Sequence, residues 1–245
     1  MPYWIERIVE PRKLFLAWQG PDHLGDRFRW AVAELVPLGA DLELCYLGSG
    51  TRFEDCNQGR KYHQAVALGY QGYPGYRRDQ THKGVLTSFL RRLPPRSRRD
   101  FNEYKMQFRI PPTLAVSDIA LLALTEAKLP SDGFSVVDPL NPDAEACDLV
   151  VEIAGFRYYV KDQPLHASQG YPVRLLPEPD NQHDRNAVKV CLADRKIGNI
   201  NRLQAPTFLR WLATRSVSAW IERLNGKSAR PRAFIFIRVR SLGLP

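Results

Sequence analysis

The stretch RLLPEPDNQHDRNAVKVCLADRKIGNINR, residues 174–202, decides how the second half of the chain is read. VRLLPEP (173–179), AVKVCL (187–192) and RKIGNI (195–200) are short apolar or alternating runs, the pattern of strands. The residues between the first two are rich in Pro, Asp and Asn, which favour turns because their side chains bond nearby backbone groups or fix φ. Working outward, DLVVEIAG (148–155), VSAWIERL (217–224) and RAFIFIRV (232–239) also read as strands. One helix interrupts them, APTFLRWLAT (205–214), with Pro206 at its start, where a missing N–H costs nothing. Several short strands with one or two helices predict a small OB-like β-barrel. Tyr158 and Tyr159 then alternate along a strand, so that one of them faces the core. Phe234 and Phe236 share a face, which is either the barrel interior or a stacking platform.

The segment before it is of a different kind. KLFLAW (13–18), RFRWAVAELV (27–36) and DLELCYL (41–47) read as strands, the last two joined at Pro37-Leu38-Gly39 into an antiparallel pair. GVLTSFLRRL (84–93), RRDFNEYKMQF (98–108) and VSDIALLALTEAK (116–128) have helical spacing. Pro94 and Pro95 stop the first, and Ser97 and Ser117 stand where caps belong. DPLNPDAEACD (138–148), with two prolines and four acids, reads as a linker. The expectation is an α+β protein in two parts: a mixed α/β domain over 1–140, then the barrel over 148–245.

With 44% apolar and 25% charged residues the composition is that of a globular protein. The formal net charge is +9, and from Arg195 onward eleven Lys or Arg stand against the single acid Glu222. A focused cationic patch attracts polyanions. A second cluster, Arg91, Arg92, Arg96, Arg98 and Arg99, either binds phosphates or pairs with nearby acids such as Asp100 and Glu103. The loop ALGYQGYPGYRR (67–78) interleaves tyrosines with arginines, a pattern of packing, of a partner interface or of nucleic-acid contact. Cys45, Cys56, Cys147 and Cys191 form no CxxC pair and have no His at zinc spacing, so reduced core thiols are expected. No run of about 18 apolar residues predicts a membrane span, and MPYWIERIVEP is unlike a secretory signal; a cytoplasmic protein is expected.

The segment 148–240 resembles the HIRAN domain family. The resemblance rests on Glu178-Pro179-Asp180-Asn181, Asp184, Asn186-Ala187-Val188, Val190 and Ile197-Gly198, with GFRYY (155–159) upstream. Members are OB-like modules attached to helicases and nucleases, or stand-alone bacterial proteins. The resemblance implies a DNA-binding module, possible for single strands or their 3′ ends, with DNA ahead of RNA. By resemblance Arg157 and Tyr158 line a groove and Tyr158 stacks on the terminal nucleotide. Asp184 accepts a hydrogen bond from the 3′-hydroxyl, Arg202 holds a phosphate and Phe234 stacks on a base. His183 stands where a eukaryotic member has Tyr, and Asn201 where it has a basic residue. The first half more weakly resembles the N-terminal subdomain of HipA-type proteins and of stand-alone bacterial HIRAN proteins.

No GxSxG, HExxH or phosphate-binding loop is present, and a non-enzymatic protein without cofactor or metal is expected. Its expected setting is repair, mobile elements or defence. Two other readings stay open. One is an accessory subunit of a larger ribonucleoprotein (CRISPR-like) or toxin–antitoxin assembly. The other is a metal-dependent nuclease, for which PDHLGD offers Asp22, His23 and Asp26, and for which Glu103-Tyr104-Lys105 is E-x-K by letters although placed on a helix.

Overall fold

The computed structural model describes residues 3–24, 28–129, 131–161, 165, 167–227 and 230–243. In chain order the elements are β1 (Leu14–Gln19), β2 (Arg29–Leu38), β3 (Asp41–Tyr46), α1 (Thr51–Cys56), α2 (Tyr62–Ala67), β4 (Thr81–Lys83), α3 (Leu86–Leu90), α4 (Phe101–Gln107), α5 (Asp118–Thr125), β5 (Phe134–Val137), β6 (Cys147–Glu152), α6 (Phe156–Val160), β7 (Pro172–Pro177), β8 (Val188–Leu192), β9 (Arg195–Asn199), α7 (Ala205–Thr214), β10 (Arg215–Lys227) and β11 (Arg230–Ser241). They form two compact units. One comprises Glu10–Phe101 and Val116–Pro139; the other comprises Met1–Val9, Asn102–Ala115 and Leu140–Pro245. Helix and sheet are mixed in both, an α+β architecture. No helix among the described residues is long and apolar enough to cross a membrane.

The first unit is built on an antiparallel sheet in the order β4-β3-β2-β1-β5. Leu14–Trp18 and Trp30–Leu35 are buried without alternation, so the central strands are covered on both faces. Buried Asn57, just past α1, fixes that helix to β2: its amide exchanges hydrogen bonds with the Ala31 N–H and C=O at 2.9 Å. Ser117 caps α5 by accepting from the Ala120 N–H, as its position implies. The arginine cluster of this unit is largely neutralised. Buried Arg92 is bidentate with Asp132 and also donates to the Ala127 and Phe134 carbonyls. Arg96 pairs with Asp118, and Arg98 with Asp100. Tyr70 and Tyr73 of the Tyr-rich loop are buried, packing on Trp18 and Phe89. The helix expected over 98–108 begins only at Phe101, because residues 96–100 form turns closed by Phe101 N–H to Arg98 C=O.

The second unit is a six-stranded antiparallel sheet in the order β6-β11-β10-β7-β8-β9. It is not the closed barrel expected from the strand count. β6 turns into α6 immediately after Ala154, so its edge meets β9 at a single bridge, Ala154 with Asn199, instead of a ladder. The join of β7 to β10 is also short, with Val173 opposite Ala219 and Pro172 opposite Trp220. GFRYY is likewise not a strand. Gly155, at φ +72°, begins a single helical turn, too short to show a 3.6-residue period. Gly198 makes the edge contact possible. Its φ is +151°, and a Cβ there would lie 2.3 Å from Ile153 Cγ2 and 2.6 Å from the Ala154 carbonyl oxygen.

One sheet face carries Ile235, Ile237, Val239, Ala219 and Ile221 into the core. The opposite face is covered by the unit's own N-terminal segment. Tyr3 stacks on Trp220 (centroids 4.2 Å apart) and on Phe236 (5.6 Å). The Asp148 carboxylate, wholly buried, accepts the Glu6 and Arg7 N–H groups and pairs with Arg238 and Arg240. Glu103-Tyr104-Lys105 lies on α4, where buried Lys105 donates to the Pro112 and Leu114 carbonyls.

Candidate nucleic-acid interface

The D-N-x-x-D-x-N-A run is first of all a turn that organises its own backbone. Asn181 Oδ1 accepts the N–H groups of His183 (2.9 Å) and Asp184 (3.0 Å), and Asp184 Oδ1 accepts that of Asn186 (2.9 Å). The Ala187 N–H closes on the Asp184 carbonyl, and the Glu178 N–H on the Ala187 carbonyl. One oxygen of Asp184 is thus engaged in an Asx turn, and Oδ2 has no hydrogen-bond partner among the described residues.

Glu178 joins this loop to β9 and through it to α6. Its carboxylate accepts from Lys196 (2.7 Å to each oxygen), from Asn181 (2.6 Å) and from Asn199 (3.2 Å). Burial alone would raise the Glu178 carboxyl, but the bonds from Lys196, Asn181 and Asn199 outweigh it and hold the group below its ordinary range. Burial would also lower the Lys196 ammonium, and its bonds to Glu178 and Tyr159 raise it instead. The pair is therefore ionised at neutral pH. Lys196 lies 4.9 Å from the centroid of the Tyr159 ring, and Arg195 donates to the Tyr159 carbonyl. Helix α6 is thereby fastened along β9, so that Tyr159 serves as its foot and Tyr158 is left 70% exposed. Lys161 approaches the Tyr158 ring at 5.8 Å.

The residues singled out in the sequence are distributed as follows. Arg157 and Tyr158 are neighbours on α6, and Arg157 is half-buried with no ion pair to a described residue. His183 is exposed and Asp184 half-buried on the 178–187 turn. The chain of contacts Tyr159–Lys196–Glu178–Asn181 connects these two pairs through one platform. Arg202, half-buried, follows β9 in the turn that leads into α7. Asn201 beside it is buried and accepts the Leu203 N–H, so it shapes that turn. Phe234 is elsewhere, on the outer sheet face opposite Glu152, its ring bracketed by Arg223 (4.2 Å) and Arg232 (5.1 Å). Phe236 on the same face is fully buried beneath Tyr3. Sequence reasoning passed over Lys196 and Tyr159 as connectors. The signal for Tyr159 was the doubled tyrosine, and Lys196 gave none.

The electrostatic setting favours an anionic ligand. This unit holds 19 of the chain's 35 Lys and Arg against 12 of its 26 acids, so it carries +7 of the net +9. Around the platform, Arg157, Arg185 and Lys189 make no ion pair with a described residue. Tyrosine faces accept any base and unpaired cations accept phosphate; together they suit an unstacked polynucleotide. Among the described residues no group of His, Cys, Asp and Glu is placed to hold a metal ion. Asp26 of the PDHLGD run lies outside the described residues.

Fold and site together define an antiparallel β module with two helices, α6 and α7, and a basic, tyrosine-bearing edge. Residues 147–234 match the family model of the HIRAN domain, and the second unit carries a HIRAN domain there. The chain is also similar to the crystal structure of the HIRAN domain of human HLTF, at 18% identity over 38% of this chain and 74% of that one, with a TM-score of 0.31. No curated protein matches the chain.

Proposed function

We propose that the protein is a non-enzymatic nucleic-acid-binding protein whose HIRAN domain takes single-stranded DNA, with a preference for a free 3′ end. The observation that carries this reading is Tyr158. A tyrosine 70% exposed on a helix anchored by Arg195 and Lys196 is a prepared stacking surface, next to Arg157, which makes no ion pair with a described residue, and tied through Tyr159, Lys196 and Glu178 to a turn whose Asp184 Oδ2 has no partner among the described residues. An ionised carboxylate accepts hydrogen bonds and repels phosphate, so Asp184 Oδ2 would favour a terminal hydroxyl over a continuing strand. In this reading His183 lies beside that terminus and Arg202 holds a phosphate behind it. Phe234, bracketed by arginines on another face, contributes through those cations.

The test is binding of labelled single strands ending in a 3′-hydroxyl or a 3′-phosphate, to the wild-type protein and to R157A/Y158A. Loss of one stacked base is worth about 1–3 kcal/mol. The double variant is expected to weaken hydroxyl-ended strands at least tenfold, and its salt slope to fall by about one unit for the lost phosphate contact. The wild type is expected to discriminate against the 3′-phosphate. Equal affinity of wild type and variant would remove α6 from the interface; equal affinity for both ends would remove end recognition.

A further inference from the structure

Glu178 stands between Pro177 and Pro179, at the mouth of the 178–187 turn. Proline fixes its own φ and keeps the residue before it out of the helical region, so the Glu178 backbone has little freedom. Its N–H closes on the Ala187 carbonyl, which holds it at the end of β7. The side chain is thereby delivered to one place, where three donors converge on it: Lys196 Nζ, Asn181 Nδ2 and Asn199 Nδ2. A carboxylate is an acceptor only, so it satisfies all three at once. It also decides which way Asn181 faces. With Nδ2 donated to Glu178, Oδ1 is turned to the His183 and Asp184 N–H groups, and those bonds shape the turn that carries Asp184.

Through Lys196 the same carboxylate reaches the stacking residue. Lys196 lies 4.9 Å from the Tyr159 ring, and Tyr159 meets Tyr158 edge to face, with centroids 5.4 Å apart and planes at 85°. A T-shaped pair is a preferred arrangement of aromatic rings, so the attitude of the Tyr158 ring follows that of Tyr159. An unbroken line of contacts runs from Tyr158 through Tyr159, Lys196, Glu178 and Asn181 to the Asp184 N–H. The Lys196 and Glu178 side chains are each only 22% exposed, so salt screens this pair less than it screens a surface pair. Their charges cancel, and the pair therefore contributes spacing to the surface rather than attraction.

We infer that Glu178 is a positioning residue, which sets the distance between the Tyr158 ring and the Asp184 carboxylate and so decides whether a stacked terminal nucleotide presents its 3′-hydroxyl to that carboxylate. The inference rests on the proposed contacts of Tyr158 and Asp184 with the strand. The experiment titrates single strands ending in a 3′-hydroxyl or a 3′-phosphate into wild type, E178Q, K196M and K196R. A hydrogen bond to a charged group is worth about tenfold in affinity, and that is the preference for the hydroxyl end expected of the wild type. In E178Q and in K196M the preference should fall to within about twofold, while affinity for the phosphate-ended strand stays within about threefold because Tyr158 still stacks. K196R, whose guanidinium can pair with the carboxylate and lie against the tyrosine, should keep the preference. Adding D184A to E178Q should cost hydroxyl-ended strands nothing further, because both changes remove the same contact. Should E178Q fail to fold, K196M and K196R carry the comparison alone. A plain charge effect would move E178Q and K196M in opposite directions, since one removes an anion and the other a cation. That split overturns the inference, as does an equal loss on both strands, which would make Glu178 a stabilising residue only. The two readings fail separately. A preference for the hydroxyl end that survives in E178Q and K196M sinks the role of Glu178 and leaves end recognition standing, whereas a wild type without that preference retires both.

Discussion

Asp148→Ala is expected to lower the thermal midpoint of the HIRAN-bearing unit by about 10 °C or more, the largest single effect of any substitution outside its apolar core. The Asp148 side chain is fully buried and has four partners: the N–H groups of Glu6 and Arg7 and the guanidinium groups of Arg238 and Arg240. Removing one member of a buried charge network costs about 3–5 kcal/mol, because the opposing charges remain desolvated without compensation. Here the loss also releases the segment that bears Tyr3, whose ring covers Trp220 and Phe236. Asp148→Asn keeps one oxygen that can accept from the backbone and should retain part of the loss. Differential scanning calorimetry of the three proteins measures the series. A midpoint for Asp148→Ala within a degree or two of the wild type would show that the N-terminal segment is held by something other than this carboxylate.

Gly198→Ala should damage both stability and binding. The backbone at φ +151° is a region that L-residues avoid, at a cost of about 1–3 kcal/mol. The added methyl would also press on Ile153 and on the Ala154 carbonyl, and the latter is backbone that cannot swing aside. The bridge from Ala154 to Asn199 would open, and α6, which starts at the next turn, would move off β9. A total of about 3 kcal/mol or more is expected, with at least a tenfold loss of single-strand affinity because Tyr158 and Arg157 ride on that helix. Thermal unfolding and strand titration on the same preparation separate the two consequences. A variant as stable as the wild type would mean that β6 and β9 can part without harm. A stable variant that binds normally would mean that α6 need not be anchored there.

The elements legible in the sequence were those with a strong period or clear boundaries. KLFLAW, DLELCYL, AVKVCL and RAFIFIRV became strands within a residue or two, and APTFLRWLAT became α7 over the expected residues. The two units are not contiguous in sequence: the second takes Met1–Val9 and Asn102–Ala115 as well as Leu140–Pro245, which no local pattern of residues announces. What escaped was short or set by tertiary contacts. Helices α1 and α2, of six residues each, show too little periodicity to stand out, and α1 is held by the Asn57 bonds to β2. Over α6 the residue pattern predicts a strand, because five residues containing two tyrosines fit alternation as well as one helical turn. Barrel closure was inferred from strand number alone, whereas closure depends on where β6 stops, and that is decided by Gly155.

The candidate site was legible to a different degree. The Asp-Asn turn could be read locally, since Asx turns depend on residues two or three apart. The ties from Tyr159 to Lys196 and from Lys196 to Glu178 cross 37 and 18 positions and left no local trace. Net charge points to the half of the chain that holds the proposed surface but not to its individual cations. Of the basic residues after Arg195, several are spent on Asp143, Asp148, Glu152 and Glu178, while Arg157, Arg185 and Lys189 lie before them and make no such pair with a described residue.

Hydrogen exchange on the protein with and without a short oligothymidylate reads the central claim most directly, namely that α6, β9 and the 178–187 turn act as one binding surface. Protection is expected to rise together at 156–160, at 181–187 and at 195–202, and to vanish in R157A/Y158A. Protection confined to one of these segments, or found only on strands of the first unit, would contradict it.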